Sequence, residues 1–445
     1  MTKNVLLINP WITDFTAYDF WLRPLGLLYA ASILRANADV DLRLVDCLDR
    51  FHPGLPPPAR SKPDGRGHFL KVEIPKPEAL KAVPRRYSRY GMPLDLFLAE
   101  LKRGPVPDLV LMTCTMTYWY PGVQLAVELI RRAFGSVPVV LGGIYATLVE
   151  DHARRNSGAD VVLPGPAEKT LLPAAREIWG DGSVRDAEYP SFRHLPAPAS
   201  DLLSDKSALP LLTSRGCPFD CSFCAGPNLY PRFEQRESGV VVEEIAEAVG
   251  RFGTSDFAFY DDAILLNKTQ HIVPILEGVI RRGLSVSFHT PNGLHVREID
   301  SGLARLFAKA GVRSIYLSQE STSAAVIRES CPKVERGDLA GAVDDLVLAG
   351  YRRDDIHVYL IAGLPNQTLE SIKDSVRDVR RLGAKPRMAY FSPIPGTRAW
   401  KALVDGGRLK ADADPLIFNK MAFPYLWGDI SPEDYAELQK ILNEV

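Results

Sequence analysis

Thr213–Asn228 reads TSRGCPFDCSFCAGPN and places Cys217, Cys221 and Cys224 in a C-x3-C-x2-C pattern. Three thiolates on one tight loop match the corner ligands of a [4Fe–4S] cluster and leave one iron without a protein ligand. A structural zinc site normally needs a fourth ligand, and no CxxC or HxxxH partner occurs nearby. The spacing therefore favours an iron–sulfur cluster over zinc.

The rest of the composition is typical of a globular protein of the cytosol. The chain has 445 residues with 53 basic and 54 acidic side chains, and this near-neutral balance argues against a broad nucleic-acid surface. Cys47, Cys114 and Cys331 are scattered singly, so the cysteines do not form a disulfide scaffold. The sequence contains no apolar run of ~18 residues and no signal-peptide pattern at its start. We expect a cytoplasmic protein without a membrane partner and without nucleic acid.

Six apolar runs are separated by helical patterns; the first precedes the cysteine loop and the other five follow it. They read LPLLTS, DFAFYDD, LSVSFHT, RSIYLSQE, IHVYLIAGLP and RMAYFSPIPG. Six such βα repeats are too few for an eight-stranded barrel, and they predict a partial (β/α)6 barrel over residues 208–400. Its site lies at the carboxyl ends of the strands. Residues 401–445 predict a short helical cap.

The first 182 residues have the same βα alternation with near-continuous apolar strands. This pattern predicts an α/β fold with a doubly wound, parallel sheet that helices cover on both faces. Residues 51–92 interrupt it with a segment rich in Pro, Arg and Lys, which is either an insertion over the ligand face or a partly disordered loop. The proline-rich stretch 183–207 predicts a linker between the two domains.

Polar side chains end several strands of the second domain. Asp261 and Asp262 follow the second strand, Asn292 follows the third, and Glu320 ends the fourth. In a partial barrel these positions share one rim, which makes them candidate ligand contacts. The alternatives are two solvated turn carboxylates, a turn-capping asparagine and a glutamate that interacts with a helix dipole.

With these motifs in place, residues 208–397 resemble the radical S-adenosylmethionine (SAM) enzymes. The resemblance implies that the open iron of the [4Fe–4S] cluster chelates SAM, and that reductive cleavage of SAM gives a 5′-deoxyadenosyl radical. It places Phe223 near the adenine and makes Asp261, Asp262, Asn292 and Glu320 SAM contacts. The strand ends HTPNGL, LSQES, IAGLPNQT and SPIPGT are similar to the subgroup that carries a cobalamin-type front domain.

The front domain resembles that cobalamin-binding domain at three glycine-containing motifs, PLGLLYAASIL, VVLGGIYAT and ADVVLPGPAEKT. The candidate cobalamin contacts that follow from the resemblance are Gly26, Gly142, Gly143, Thr147, Gly165 and Glu168. Tight turn chemistry alone also accounts for the glycines. The family's acidic Gly-Glu-Gly-Glu run is GPAE here, and no DxHxxG exists to supply a lower axial histidine.

The resemblance implies an enzyme that uses SAM and a [4Fe–4S] cluster, with cobalamin-dependent C-methylation of an unknown organic substrate as the leading hypothesis. An electron donor such as flavodoxin or ferredoxin and a small-molecule or peptide substrate are the expected partners. Rearrangement or oxidation without cobalamin is the alternative. Transfer-RNA methylthiolation is disfavoured, because the front domain has only Cys47 and Cys114 and the tail lacks a basic barrel. A non-enzymatic iron–sulfur protein would not need six strand-end motifs around one cavity.

Overall fold

A computed structural model divides the chain into two compact units, Met1–Ala208 and Leu209–Val445. It describes residues 2–58, 61–185, 191–331, 333–335, 337–365, 367–427 and 429–443. Within those ranges, none of the helices combines the length and the apolarity that a bilayer crossing needs.

The first unit is built on the parallel sheet that its apolar runs predict. Its strands are β1 (Lys3–Asn9), β2 (Ile12–Asp14), β3 (Val40–Asp46), β4 (Lys71–Glu73), β5 (Ser88–Tyr90), β6 (Leu109–Thr113), β7 (Val139–Gly142) and β8 (Val161–Val162). The parallel sheet has the order β3-β1-β6-β7-β8. Because this order reverses beside β1, the carboxyl ends of the strands open a crevice in which doubly wound folds bind ligands.

Helices cover this sheet. They are α1 (Leu25–Asn37), α2 (Leu94–Leu101), α3 (Tyr120–Phe134), α4 (Ile144–Leu148), α5 (Glu150–Asn156) and α6 (Ala167–Trp179). Almost every residue of α1 is buried, which fits its uniformly apolar sequence LGLLYAASILRAN. The predicted α/β doubly wound unit is confirmed.

Part of the 51–92 segment is folded. β2, β4 and β5 pair antiparallel in the order β2-β5-β4. Ile12, Leu48, Phe69 and Tyr90 form a small apolar cluster beneath this sheet. Residues 59–60 lie outside the described residues. The segment therefore contributes two strands to a three-stranded sheet that β2 completes, and the disordered alternative does not apply to these strands.

The stretch predicted as a linker belongs to the first unit as far as it is described. Phe192 and Leu195 are buried, and the Ala199 N–H donates to the Leu28 carbonyl at 3.1 Å. Ser32 in α1 donates to the Ala197 carbonyl at 2.7 Å. The prolines break regular structure, but the segment is hydrogen-bonded to α1 and its apolar side chains Phe192 and Leu195 are buried. Residues 186–190 of the predicted linker lie outside the described part.

The second unit contains one sequentially ordered sheet and two short extra strands. Its strands are β9 (Ala208–Leu211), β10 (Ser214–Arg215), β11 (Glu234–Gln235), β12 (Asp256–Phe259), β13 (Ser287–His289), β14 (Leu294–His295), β15 (Val312–Glu320), β16 (Ile356–Ala362) and β17 (Lys385–Tyr390). The order is β17-β16-β15-β13-β12-β9, with β14 beside β15. In the described residues β9 and β17 end this order without closing on each other, as a partial barrel requires.

Helices alternate with these strands. They are α7 (Gly226–Leu229), α8 (Ser238–Phe252), α9 (Ile272–Arg281), α10 (Ser301–Ala310), α11 (Ala324–Ser330), α12 (Asp338–Leu348), α13 (Leu369–Arg381), α14 (Arg398–Asp405), α15 (Phe423–Leu426) and α16 (Pro432–Asn443). Asp300 caps α10 by accepting from the Leu303 N–H. The last helix packs against α13 through an ion pair of 2.7 Å between Lys373 and Glu437.

Candidate functional site

The three-cysteine loop begins directly after β10, which pairs with β11 in a separate two-stranded sheet. Gly216 turns the chain with a φ of +75°, and a Cβ there would lie 2.5 Å from the Arg232 carbonyl oxygen. Only glycine fits both conditions. The loop then runs through Cys217, Cys221 and Cys224 and enters α7.

The three thiols differ in exposure. Cys221 is buried, Cys217 is half-buried and Cys224 is exposed, with its Sγ accepting a bond of 3.3 Å from the Gly226 N–H. Burial raises the pKa of Cys217 to about 11, so metal binding there must displace a proton. No three His, Cys, Asp or Glu side chains in the described part converge on a single ion. A four-iron cluster does not require that, because each thiolate binds a different iron.

Asp261 holds the start of this loop in place. Its carboxylate accepts from the hydroxyls of Thr213 and Ser214, both at 2.6 Å. It also accepts from the Thr213 N–H at 3.1 Å and from the Ser214 N–H. Burial raises the pKa of Asp261 to about 6, although these hydrogen bonds lower it. These contacts show that Asp261 anchors the loop, and its role as a SAM contact stays a prediction.

His271 extends the same network from the start of α9. Its Nε2 lies 2.8 Å from the Thr213 hydroxyl oxygen. That hydroxyl gives its one proton to Asp261, so the imidazole Nε2 must donate. Burial lowers the pKa of His271 to about 4, which keeps the ring neutral at physiological pH. The network fixes the turn that leads into the cysteines.

Two other sequence candidates bridge strand ends. Asp262 accepts from the Gly216 N–H at 3.2 Å and is exposed. Asn292 donates to the Tyr260 carbonyl at 2.8 Å and, at 3.3 Å, to that of Asp261. The amide N–H groups of Asn292 therefore bind the turn, as the turn-capping alternative predicts. The Asn292 side chain is exposed, which leaves its amide oxygen on the rim.

Glu320 occupies an unusual backbone position. Its φ is +64°, a left-handed conformation that costs roughly 1–2 kcal/mol for a residue with a Cβ. Its carboxylate pairs with Lys333 at 3.1 Å, and both side chains are about nine-tenths buried (11% exposed). Burial by itself would lower the pKa of Lys333, but Glu320 and the nearby thiols raise it. Lys333, which the sequence reading missed, thus places a buried cation at this site.

Two backbone bonds clamp the middle of the loop. The Ser222 N–H donates to the Ser330 carbonyl at 2.9 Å, and the Ala399 N–H donates to the Ser222 carbonyl at 2.8 Å. Phe223 is half-buried beside this clamp. The cysteine loop is therefore tied to the end of α11 and the start of α14.

In the first unit, the structure brings together four of the glycine-motif residues. Thr147 donates to the Gly143 carbonyl and accepts from the Gly165 N–H, both at 2.9 Å. Gly142 precedes this turn at the end of β7. Glu168 lies buried in the first turn of α6, whereas Gly26 is exposed in the first turn of α1. Thr147 therefore bridges the two glycine turns, and its role as a cobalamin contact stays a prediction.

Gly143 and Gly142 differ in what a side chain would meet. At Gly143, φ is +90° and a Cβ would lie 2.6 Å from the Thr113 hydroxyl oxygen. At Gly142, the nearest atom to a Cβ would be the Leu163 carbonyl oxygen at 3.8 Å. A valine at Gly143 would therefore disturb the fold itself, whereas Gly142 faces space that a ligand can use.

The two folds and the three-cysteine loop define an α/β enzyme of the iron–sulfur type. Residues 211–379 match the family model described as the Radical SAM superfamily. The second unit therefore carries the domain that defines radical SAM enzymes.

Relatives and solved structures agree with this assignment. An uncharacterized methyltransferase of Pyrococcus horikoshii is 26% identical over 68% of this chain and 71% of its own length. The cytidylyl-2-hydroxyethylphosphonate methyltransferase of Streptomyces wedmorensis is 28% identical over 99% and 89%. The radical SAM methyltransferase TsrM of Kitasatospora setae, solved with cobalamin and a [4Fe–4S] cluster, has a TM-score of 0.68 at 17% identity. That match covers 100% of this chain and 92% of TsrM, so the two-unit fold is shared.

Proposed function

We propose that this chain is a cobalamin-dependent radical SAM methyltransferase that acts on an organic substrate. The observation that carries the proposal is the three-cysteine loop, which Asp261 anchors at the carboxyl edge of the second sheet. The combination with a doubly wound front unit, as in TsrM, supports the cobalamin-dependent form of the chemistry.

Cys217, Cys221 and Cys224 are the proposed ligands of a [4Fe–4S] cluster. Soft thiolates on one short loop are the donor set that iron–sulfur clusters take. When bound, the cluster supplies the electron that cleaves SAM reductively. The role of this chain is to hold the loop rigid, and the Asp261 network and the two backbone clamps achieve this.

The proposed SAM side of the site consists of Phe223 in the cysteine loop and of Asp262, Asn292 and Glu320 at the carboxyl ends of β12, β13 and β15. Asp262 and Glu320 offer carboxylate oxygens that accept from an ammonium group. Lys333 restrains the Glu320 side chain before any ligand arrives. Asp261 acts as a positioning residue behind this group.

Cobalamin is the proposed ligand of the front crevice, where Gly142, Gly143 and Gly165 lie at the ends of two neighbouring strands. The fit rests on Gly142, whose missing Cβ leaves space at the strand end. When bound, cobalamin would carry the methyl group. The chain has no DxHxxG, so the cobalt(II) EPR spectrum should show no nitrogen superhyperfine splitting.

We further propose a cytoplasmic enzyme that receives electrons from a flavodoxin or ferredoxin and acts on a small molecule or peptide. The scattered cysteines support a reducing compartment. The low potential of a radical SAM cluster requires a low-potential donor.

The proposal is tested with anaerobically reconstituted protein, hydroxocobalamin and SAM that carries a deuterated methyl group. We expect corrin absorbance that co-elutes with the protein, and release of unlabelled S-adenosylhomocysteine as the methyl group leaves SAM. Gly142→Val should remove the corrin while leaving the iron content unchanged.

Gly239→Val is the matched control, because Gly239 lies in α8 of the second unit and a Cβ there meets no atom within 4 Å. Wild-type protein that forms 5′-deoxyadenosine but takes up no corrin would refute the methyl-transfer proposal. It would favour rearrangement or oxidation without cobalamin.

A further inference from the structure

A fourth cysteine lies beside the three-cysteine loop. Cys331 follows α11 and is 110 residues from Cys221 in sequence, yet the two Sγ atoms are 3.9 Å apart. Cys331 is 1% exposed and Cys221 is 7% exposed. The spacing of the cysteine motif gives no indication of this pair.

Backbone contacts fix the position of this pair. The Ser222 N–H, next to Cys221, donates to the carbonyl of Ser330, next to Cys331, at 2.9 Å. The Cys331 N–H in turn donates to the Ile327 carbonyl at 2.9 Å and so continues α11. Because the backbones of Ser222 and Ser330 are hydrogen-bonded to each other, the backbone itself brings the sulfurs of Cys221 and Cys331 close together.

Which of the two sulfurs donates the hydrogen bond depends on which of them carries a proton. A cysteine that holds iron is a thiolate and has no proton to give. The only S–H in this pair is then that of Cys331. The nearby cation, Lys333, is already paired with Glu320 at 3.1 Å. An S–H from Cys331 is therefore the side-chain donor that the described structure places against the Cys221 sulfur.

We propose that Cys331 donates an S–H···S hydrogen bond to the Cys221 thiolate and thereby raises the reduction potential of the cluster. Hydrogen bonds to the sulfurs are among the factors that set the potential of iron–sulfur clusters, because they stabilise the more negative, reduced state. Cys331 is thus a positioning residue for the reaction and not a fourth ligand. This inference rests on the proposed function, since it requires a cluster on Cys221.

The test compares Cys331→Ala with Cys331→Ser in reconstituted protein. Cys114→Ala is the matched control, because Cys114 is also buried but lies in the first unit. Iron and sulfide are counted chemically, and the midpoint potential is measured by EPR in a mediated redox titration. Circular dichroism of each protein checks that it is folded.

We expect about four irons in all variants. Cys331→Ala should make the one-electron reduction less favourable by about tenfold, a shift of ~59 mV to lower potential. Cys331→Ser keeps an O–H donor, so its potential should lie closer to that of the wild type, and Cys114→Ala should leave the potential unchanged.

An unchanged potential in folded Cys331→Ala protein would overturn the inference. Loss of iron in the same protein would overturn it too, because it would make Cys331 a ligand. A wild-type protein that assembles no cluster would instead refute the proposed function, so the two failures are distinguishable.

Discussion

The Asp261 network allows a quantitative prediction. Asp261→Ala removes the acceptor of two buried backbone N–H groups, those of Thr213 and Ser214. Each buried donor that is left without a partner costs ~1–3 kcal/mol, so the loop should lose ~2–6 kcal/mol of local stability. Asp261→Asn keeps one carbonyl oxygen as an acceptor and should lose less. Asp262→Ala is the matched control, since Asp262 accepts one bond of 3.2 Å and is exposed.

Hydrogen exchange monitored by mass spectrometry measures this directly on peptides that span residues 211–217. A loss of ~3 kcal/mol corresponds to amide exchange about a hundredfold faster, at ~1.4 kcal/mol for each factor of ten. Exchange in Asp261→Ala that is no faster than in Asp262→Ala would refute the anchoring role.

The described geometry leads to three other expected outcomes. Glu320→Gly should be ~1 kcal/mol more stable than Glu320→Ala in urea unfolding, because both lose the Lys333 pair and only glycine relieves the φ of +64°; equal stabilities would contradict a strained backbone. Burial, together with Asp49, raises the pKa of Asp46 from 3.8 to about 7, so ionisation penalises the folded state and its stability should fall as pH rises from about 4 to about 7. Asp46→Asn should remove this dependence, which is at most ~4 kcal/mol at ~1.4 kcal/mol per pH unit, and a wild type with a flat pH profile would contradict it. Gly143→Val should lower the melting temperature well below that of Gly142→Val, because only the former places a Cβ 2.6 Å from a protein oxygen; similar melting temperatures would contradict the assigned crowding.

The order of the second sheet was predictable because its signals are local. Each strand is an apolar run between turn residues, and consecutive parallel strands joined by helices become neighbours. The loop Cys217–Cys224 was equally visible, since its three thiols are close in sequence.

What the sequence missed depends on contacts between distant residues. Asp261 follows a strand as a ligand-binding carboxylate would. Its partner Thr213 is 48 residues away in sequence, and only the structure shows that the two residues are hydrogen-bonded. Cys331 had one usable signal, because it is the only scattered cysteine within the predicted barrel. Lys333 had no signal in the sequence, because its role depends on being buried beside Glu320.

The packing of the predicted linker was hidden from the sequence for a related reason. Prolines at 190–198 indicate irregular backbone, and they do not indicate whether that backbone packs. Phe192 and Leu203 lie between and after those prolines and are buried in the first unit. Apolar side chains spaced among prolines were the signal for a docked segment.

The central claim is that the three-cysteine loop generates radical chemistry from SAM. The most direct measurement is the 5′-deoxyadenosine that anaerobically reconstituted protein forms from SAM with dithionite. Wild-type protein should form it, and the variant with Cys217, Cys221 and Cys224 all changed to Ala should hold no cluster and form none. Wild-type protein that holds four irons without forming 5′-deoxyadenosine, or a triple variant that still forms it, would contradict the account.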